Sequence, residues 1–447
     1  MRQRYLNMVE CHSAANQVLA SGIHAVPDVR TAFATTQAAY RFFQNERVTL
    51  RALAEALIEA ARWQVDEACD EFVLVAHDWS HLMYPDHSSK KDRMALSSKK
   101  EPEGYELQSA LLLSDRDGTP LAPVSMGLRA ADGVHCSRSW KVREPLSPLD
   151  ELDPAMSFAE QASLGRPCVH LIDAEADSVA HYRQWVQRPG RSFVVRADDR
   201  IVEYEGVESR ASQLREKLHR EGRFTDTREV KYQNRAAHQW VAEIPIRLTR
   251  PAQRNRPKSG DRRRIPGPPV CLRLVIAEIR DDKGRVLATW YLLAHVPESV
   301  DAATIALWYY WRWSIETFFK LLKSAGMQVE TWQQETASAI AKRLLVASMA
   351  CVTIWQLARS KHPQADAARH LLVRLSGRQM KRTKPFTMPA MLAGLWILLA
   401  MLETLDHYSL DEIRSIATAI LPSRAARPPN CKHTCVDTNG QGQWHTS

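Results

Sequence analysis

The sequence lacks a secretory signal, an apolar run long enough to span a membrane and a compact set of cysteines. Residues 1–20 are polar and charged, which excludes the apolar core that a signal peptide needs. Residues 388–402, the most apolar stretch, carry no charge but are shorter than the roughly 20 residues of a spanning helix. The 8 cysteines are scattered along the chain, which is typical of free thiols in a reducing compartment. We therefore predict a cytoplasmic protein with a buried helix at residues 388–402.

Positive charge is in excess. The 447 residues include 60 Lys and Arg against 51 Asp and Glu, which gives a formal net charge of +9. Such a balance favours a polyanionic partner, and nucleic acid is the usual one. Many basic proteins never bind nucleic acid, however, so the charge by itself leaves the partner open.

Two short apolar runs end in an aspartate. Residues 71–78 close on Asp78, and residues 167–173 close on Asp173. Runs of this length are typical of buried strands. A buried carboxylate is unfavourable unless it is paired or binds a metal ion, so both aspartates are candidate ligands. The alternative for Asp173 is a capping role, because helical sequence follows it over residues 174–187.

The other segments indicate a mixed α/β protein. Residues 12–70 have helical periodicity, residues 105–113 and 121–128 form a predicted hairpin, and residues 201–285 alternate in short β-like segments. Within this last region lies a loop, residues 250–269, that is rich in proline and arginine. Its cations favour phosphate contacts over a merely solubilising role; they are Arg250, Arg254, Arg256, Lys258, Arg262, Arg263 and Arg264.

A single long helix is predicted over residues 302–325. At about 100° per residue, Tyr309, Arg312, Glu316 and Lys323 share one narrow face of it. An intrahelical ion pair between Arg312 and Glu316 would explain part of this pattern. With the two aspartates, Glu316 would instead complete a carboxylate set suited to two Mg²⁺ ions in phosphoryl transfer.

This spacing resembles a known signature. Tyr309-x2-Arg312-x3-Glu316-x6-Lys323 is similar to the tyrosine–arginine–glutamate–lysine (YREK) signature of bacterial DDE transposases, the cut-and-paste enzymes of insertion sequences. Further similarities follow in the family's order from about residue 30 to 345; they are residues 39–45, 75–78, 171–177 and 192–196. The resemblance implies a catalytic core with an RNase H-like fold.

The resemblance also implies roles for individual residues. Asp78, Asp173 and Glu316 would bind Mg²⁺ or Mn²⁺, as two ions. Phosphates near the cut would be held by Tyr309, Arg312 and Lys323, and the DNA backbone by Arg196. Trp290 matches the position of an aromatic residue that stacks on a flipped base, although an ordinary core tryptophan would look the same. Double-stranded DNA, a homodimer and the bacterial nucleoid are the implied partners and location.

The predicted fold is α/β, with an RNase H-like mixed sheet flanked by helices. Residues 1–70 form an N-terminal helical DNA-binding region, residues 71–200 and 286–345 form the catalytic core, residues 201–285 form a mostly β insertion, and residues 346–447 form a helical region with a possible dimer contact. The predicted function is an active transposase. Two alternatives are an RNase H-fold nuclease that does not transpose and a catalytically silent DNA-binding remnant.

Overall fold

The computed structural model describes residues 29–96, 103–144, 147–233, 235–255, 262–381 and 384–420. The chain divides into two compact units, residues 1–399 and residues 400–447. The first unit contains one large sheet with helices packed on it. The predicted α/β class is therefore confirmed.

Two helices open the described part of the chain, α1 (Val29–Gln44) and α2 (Leu50–Ala68). The Thr49 side chain begins α2 by accepting a hydrogen bond from the backbone N–H of Ala52. The buried residues of α2 recur every three or four positions, so one stripe of the helix faces the core; they are Leu53, Ala54, Leu57, Ile58, Ala61, Gln64 and Val65. The predicted helical region is confirmed over residues 29–44 and 50–68, and its residues 12–28 lie outside the described part of the chain.

The first half of the sheet has the strand order β5-β4-β3-β1-β6-β7, and a short strand, β2, pairs with β3. β3 is antiparallel to β1 and β4 is antiparallel to β3, whereas β6 and β7 continue the sheet in parallel with β1. This mixed arrangement is consistent with the RNase H-like fold. The strands are β1 (Val73–Met83), β2 (Met94–Ala95), β3 (Glu103–Ser114), β4 (Pro120–Ala130), β5 (Gly133–Cys136), β6 (Cys168–Ile172) and β7 (Ser192–Ala197).

The second half of the sheet comes mainly from the predicted insertion. It continues from β7 in the order β15-β14-β11-β8-β9, and β10 pairs with β11. The insertion is therefore mostly β, as predicted, and it extends the central sheet. Its strands and the one after it are β8 (Ile201–Tyr204), β9 (Val207–Arg210), β10 (Thr225–Tyr232), β11 (Arg235–Leu248), β12 (Ala252–Asn255), β13 (Arg262–Ile265), β14 (Val270–Arg280) and β15 (Val286–His295). β12 and β13 pair only with each other.

Helices pack on the sheet of the first unit, and the last described helix belongs to the second unit. They are α3 (Leu152–Gln161), α4 (Val179–Trp185), α5 (Ala211–Arg220), α6 (Ala302–Trp311), α7 (Ser314–Leu322), α8 (Ala337–Arg359), α9 (Ala365–Leu375), α10 (Met388–His407) and α11 (Leu410–Ile420). Short 3₁₀ turns lie at Pro148–Glu151, Ala174–Ala176 and Val329–Thr331.

The prediction of one continuous helix over residues 302–325 is wrong. The chain forms α6 and α7, and a tight turn separates them. Across it, the N–H of Trp313 donates to the carbonyl of Tyr310 and the N–H of Glu316 donates to the carbonyl of Trp313, so the bonds span three residues instead of four. The turn rests on the β3–β4 connection, where the Ser314 hydroxyl donates to the carbonyl of Gly118. Local periodicity could not reveal this distant support.

Within the described residues two helices, α8 and α10, are long and apolar enough to cross a membrane by length and composition alone. In α8, 83% of the most apolar 18-residue stretch is buried inside the protein, as in a core helix. In α10 only 28% is buried. Met391 and Leu392 are buried there, whereas Met401 and Leu402 are about half exposed. The predicted burial of residues 388–402 therefore holds only for the first part of that segment.

Candidate active site

The register of two parallel strands brings Asp78 and Asp173 together. β1 and β6 pair in parallel, and His77 opposite Ile172 is the last pair between them. Asp78 and Asp173 are the residues that directly follow this pair along the two strands. Because neighbouring strands lie about 5 Å apart, the two carboxylates reach the same edge of the sheet. The two apolar runs that end in aspartate are therefore neighbouring strands, and their acidic groups are adjacent.

Arg312 connects these two carboxylates. Its Nη1 donates to Oδ2 of Asp78 at 3.0 Å, and its Nη2 donates to Oδ2 of Asp173 at 3.0 Å. A guanidinium is only about 2 Å wide between its terminal nitrogens, so the two accepting oxygens are no more than about 8 Å apart. The Arg312 side chain is 4% exposed, which makes this a largely desolvated cation. Within the described residues its carboxylate partners are these two aspartates, and the alternative pair with Glu316 is not formed.

Asp173 has several further donors. Its Oδ1 accepts hydrogen bonds from the Tyr309 hydroxyl at 3.1 Å and from the backbone N–H of Ala174 at 2.7 Å, and Arg196 lies 3.5 Å away. The carboxylate therefore caps the 3₁₀ turn and also belongs to the acidic cluster. Burial raises its pKa, but the Arg312 charge and the Ala174 N–H outweigh burial, and the net pKa is lowered.

The pKa values of Asp78 and Glu316 move in the opposite direction. Burial raises the pKa of Asp78, with the Asp173 charge adding to it and Arg312 opposing it. Burial also raises the pKa of Glu316, followed by repulsion from Asp78 and a smaller contribution from Asp173. The three carboxylates are thus close enough to disfavour one another's ionisation. A cation at their centre would relieve that repulsion.

The donor chemistry of this cluster suits a divalent cation. Carboxylate oxygens are the ligands that Mg²⁺ prefers, and the cluster already holds a positive group, the Arg312 guanidinium, between Asp78 and Asp173. Across the described ranges, no three acidic, histidine or cysteine side chains lie close enough to hold a metal ion as they stand. Metal binding would therefore require Arg312 to release the aspartates and Glu316 to approach them.

Lys323 contacts β1, and Trp290 contacts Tyr309. Lys323 Nζ donates to the carbonyl of His81 on β1 at 2.7 Å and lies 3.2 Å from Glu330. The half-buried Trp290 ring packs edge-on against Tyr309, with centroids 6.1 Å apart. That packing is compatible with a core tryptophan and with a stacking surface for a base, so both interpretations of Trp290 stand.

The structure places the arginine-rich loop only in part. Arg254, Arg262 and Arg263 lie in the paired strands β12 and β13. Arg256 and Lys258 lie outside the described residues. The phosphate contacts predicted for these five cations stay predictions.

Comparison with known proteins finds a similarity to one family over part of the chain. Residues 146–353 match the model of a family described as the transposase DDE domain. The match supports membership of a DDE transposase family. It includes Asp173, Glu316 and the Tyr309–Lys323 segment, whereas Asp78 lies before it. The match supports a transposase function, with DNA binding and DNA recombination. No curated protein matches the chain.

Behind these carboxylates lies a polar network that the sequence did not predict, and its His77, His170 and Arg191 side chains are buried. The rings of His77 and His170 are joined by a hydrogen bond of 2.9 Å between Nε2 and Nδ1. His170 Nε2 lies 3.2 Å from Glu160, whose carboxylate also accepts a bond of 2.7 Å from Arg191. Alternation along β1 and β6 places this network on the face of the sheet opposite Asp78. Two histidines within apolar strand runs were the available signal.

Glu160 gives this network a defined dependence on pH. Burial opposes its ionisation, but His170 and Arg191 outweigh burial and lower its pKa to about 2. A carboxylate with a depressed pKa stabilises the fold above its unfolded pKa, and this contribution is lost as pH falls from about 4.5 towards 2.

We expect Glu160→Gln to lower the free energy of unfolding by roughly 1–3 kcal/mol at pH 7. When urea unfolding is measured from pH 7 to pH 3, the free energy of unfolding of Glu160→Gln should fall less with pH than that of the wild-type protein. The control is Glu59→Gln, at an exposed position of α2. The same loss of unfolding free energy between pH 7 and pH 3 in all three proteins would contradict the prediction.

Gly118 supports the α6–α7 junction. Its φ is +69°, and a Cβ there would lie 2.2 Å from Cγ of Trp311. We expect Gly118→Ala to lower the free energy of unfolding by about 2–4 kcal/mol, because both the backbone and Trp311 must shift. The matched control is Gly284→Ala, where φ is +75° but nothing lies within 4 Å. Only the backbone term, about 1–2 kcal/mol, applies there. Equal losses in denaturant unfolding would show that Trp311 does not pack tightly on the turn.

Proposed function

We propose that this protein is a cut-and-paste DNA transposase of an insertion sequence, with Asp78, Asp173 and Glu316 as the ligands of two Mg²⁺ or Mn²⁺ ions. The observation that carries the proposal is the meeting of Asp78 and Asp173 on one guanidinium, beside a Glu316 whose pKa their charges raise. Two of the three carboxylates lie in the part of the chain that matches the transposase domain. Such a cluster is suited to strand cleavage and strand transfer.

Bound ions would activate the attacking oxygen, from water and then from a 3′-OH, and stabilise the leaving oxygen. The chain itself supplies the positioning groups. Tyr309, Arg312 and Lys323 present a hydroxyl, a guanidinium and an ammonium that can donate to phosphate oxygens. Arg312 must leave at least one aspartate to do so, and the backbone N–H of Ala174 keeps Asp173 oriented meanwhile.

Other proposed contacts extend from this centre. Arg196, 44% exposed beside Asp173, would contact the DNA backbone, and Trp290 would stack on a flipped base. The cations of the arginine-rich loop would bind phosphates further out. We propose double-stranded DNA as the partner, a homodimer on that DNA as the active form, and the bacterial cytoplasm, on the nucleoid, as its location.

Two alternatives are distinguished by experiment. An RNase H-fold nuclease would cut DNA in Mg²⁺ but would not join a 3′-OH end to a target, and a silent remnant would bind DNA without cutting. A strand-transfer assay with DNA from the ends of the gene's own flanking repeats separates the three. The absence of terminal inverted repeats beside the gene would favour the nuclease.

Binding to duplex DNA should depend steeply on salt. If about six phosphates are contacted, the affinity for a duplex of arbitrary sequence should fall by roughly 1,000-fold between 50 and 200 mM salt. Fluorescence anisotropy with a labelled duplex measures this in the absence of divalent metal. A flat response would argue that nucleic acid is not the ligand, whatever the catalytic groups do.

A further inference from the structure

Arg183 joins α4 to the base of the arginine-rich hairpin. We call the described residues 250–255 and 262–268, which connect β11 to β14, the basic hairpin. Arg183 donates to four of its backbone carbonyls, with bonds from Nε and Nη1 to Pro268 (2.9 Å) and Ile265 (3.2 Å) and from Nη2 to Arg250 (3.2 Å) and Gly267 (3.0 Å). These carbonyls belong to both legs of the hairpin. One side chain therefore holds the two legs together, just outside the first β12–β13 pair.

The hairpin is shaped to receive this guanidinium. A Cβ on Gly267 would lie 2.9 Å from Cζ and Nη1 of Arg183, so any larger residue would displace the side chain. Within the described residues Arg183 has no carboxylate partner, and its hydrogen bonds all go to the hairpin. The planar fork of arginine spreads five N–H donors over three nitrogens and can reach all four carbonyls, whereas a lysine ammonium has three donors on one nitrogen and cannot.

The other end of this connection leads to Asp173. The chain passes from Asp173 through the 3₁₀ turn to Asp177, whose carboxylate accepts bonds from the Tyr182 hydroxyl at 2.7 Å and from the N–H of Asp198 at 3.0 Å. Tyr182 is fully buried and immediately precedes Arg183. The helix that carries Arg183 is thus fastened to the segment that carries a candidate catalytic carboxylate.

We propose that Arg183 is a positioning residue that fixes the direction of the basic hairpin relative to Asp173, so that duplex DNA bound by the hairpin is held against the carboxylates. This proposal rests on the proposed function, because it takes DNA as the ligand of the hairpin. Arg183 itself does not touch the DNA. Its effect on cutting passes through the hairpin, and that dependence can be measured.

The first experiment measures the hairpin without DNA. Hydrogen exchange of the β12 and β13 amides should accelerate at least tenfold in Arg183→Ala, Arg183→Lys and Gly267→Ala, while the amides of β6 keep their rates. Arg188→Ala is the matched control, since Arg188 is exposed and its ion pair with Asp153 is long, at 3.9 Å. Unchanged exchange in the hairpin of all three variants overturns the proposal.

The second experiment uses supercoiled plasmid and Mn²⁺. Arg183→Ala should lower the nicking rate at saturating plasmid at least tenfold, with the plasmid affinity changed by less than threefold. In a background with Arg250→Ala and Arg264→Ala, which removes two exposed hairpin cations, the further effect of Arg183→Ala should fall below twofold. A purely structural role would give additive effects, and additivity overturns the proposal. If the wild-type protein neither binds nor nicks plasmid, the proposed function fails and the DNA role of Arg183 fails with it, whereas hydrogen exchange still decides whether Arg183 holds the hairpin.

Discussion

Replacing Glu316 with glutamine is expected to reduce DNA nicking by roughly 1,000-fold, equivalent to about 4 kcal/mol of activation free energy. The substitution keeps the shape of the side chain but removes the negative charge that a divalent ion requires. The affinity for duplex DNA should change by less than threefold, because the carboxylate repels phosphate and does not bind it. The nicking rate of supercoiled plasmid in Mg²⁺ and in Mn²⁺ measures the first effect, and anisotropy without metal measures the second.

The control for Glu316 is Glu298→Gln. Glu298 is exposed on the segment that leads into α6, so the variant loses the same charge away from the cluster. It should cut DNA at the wild-type rate. Nicking by Glu316→Gln at more than a tenth of that rate would remove Glu316 from the mechanism. A parallel loss of DNA binding would point instead to a disturbed α6–α7 junction.

Removing Arg312 should make the protein depend on divalent metal for its stability. In Arg312→Ala, Asp78 and Asp173 lose a desolvated cation that donates to both of them at 3.0 Å. We expect the free energy of unfolding without metal to fall by about 2–4 kcal/mol, since two partly buried carboxylates are left facing each other. Mn²⁺ should restore much of this loss, because a ligand at 100 times its Kd contributes about 2.7 kcal/mol.

The comparison with wild type decides the interpretation of Arg312. In the wild-type protein Mn²⁺ must displace the guanidinium, so the same concentration should raise the melting temperature less than in Arg312→Ala. Arg196→Ala is the control, since Arg196 is exposed and lies 3.5 Å from only one of the aspartates. If Mn²⁺ stabilises wild type and Arg312→Ala equally, then Arg312 does not compete for the metal position, and the carboxylates do not form the proposed metal centre.

Much of the local structure could be predicted because its signals are local. Apolar runs that end in Asp78 and Asp173 identified two strands, and their parallel pairing explains why the two carboxylates meet. Helical periodicity identified α2, and alternation identified two strands of the insertion, β11 and β14. Each of these patterns depends on which face of a short segment is buried. The spacing of apolar residues in the sequence indicates that face directly.

The tertiary structure alone decided the rest. The turn between α6 and α7 packs on Gly118, which lies nearly 200 residues away in the sequence. The Arg183 side chain is held by four backbone carbonyls of a distant hairpin. The ion-pair partners of Arg312 could not be predicted either. Helical spacing favoured a pair with Glu316, whereas in the structure Arg312 pairs with Asp78 and Asp173. The sequence by itself determined the main strands of the core, most of the helices and the identity of the acidic groups. Strand register and long-range packing determined which charges touch, since an ion pair forms with the partner that the folded chain brings within reach.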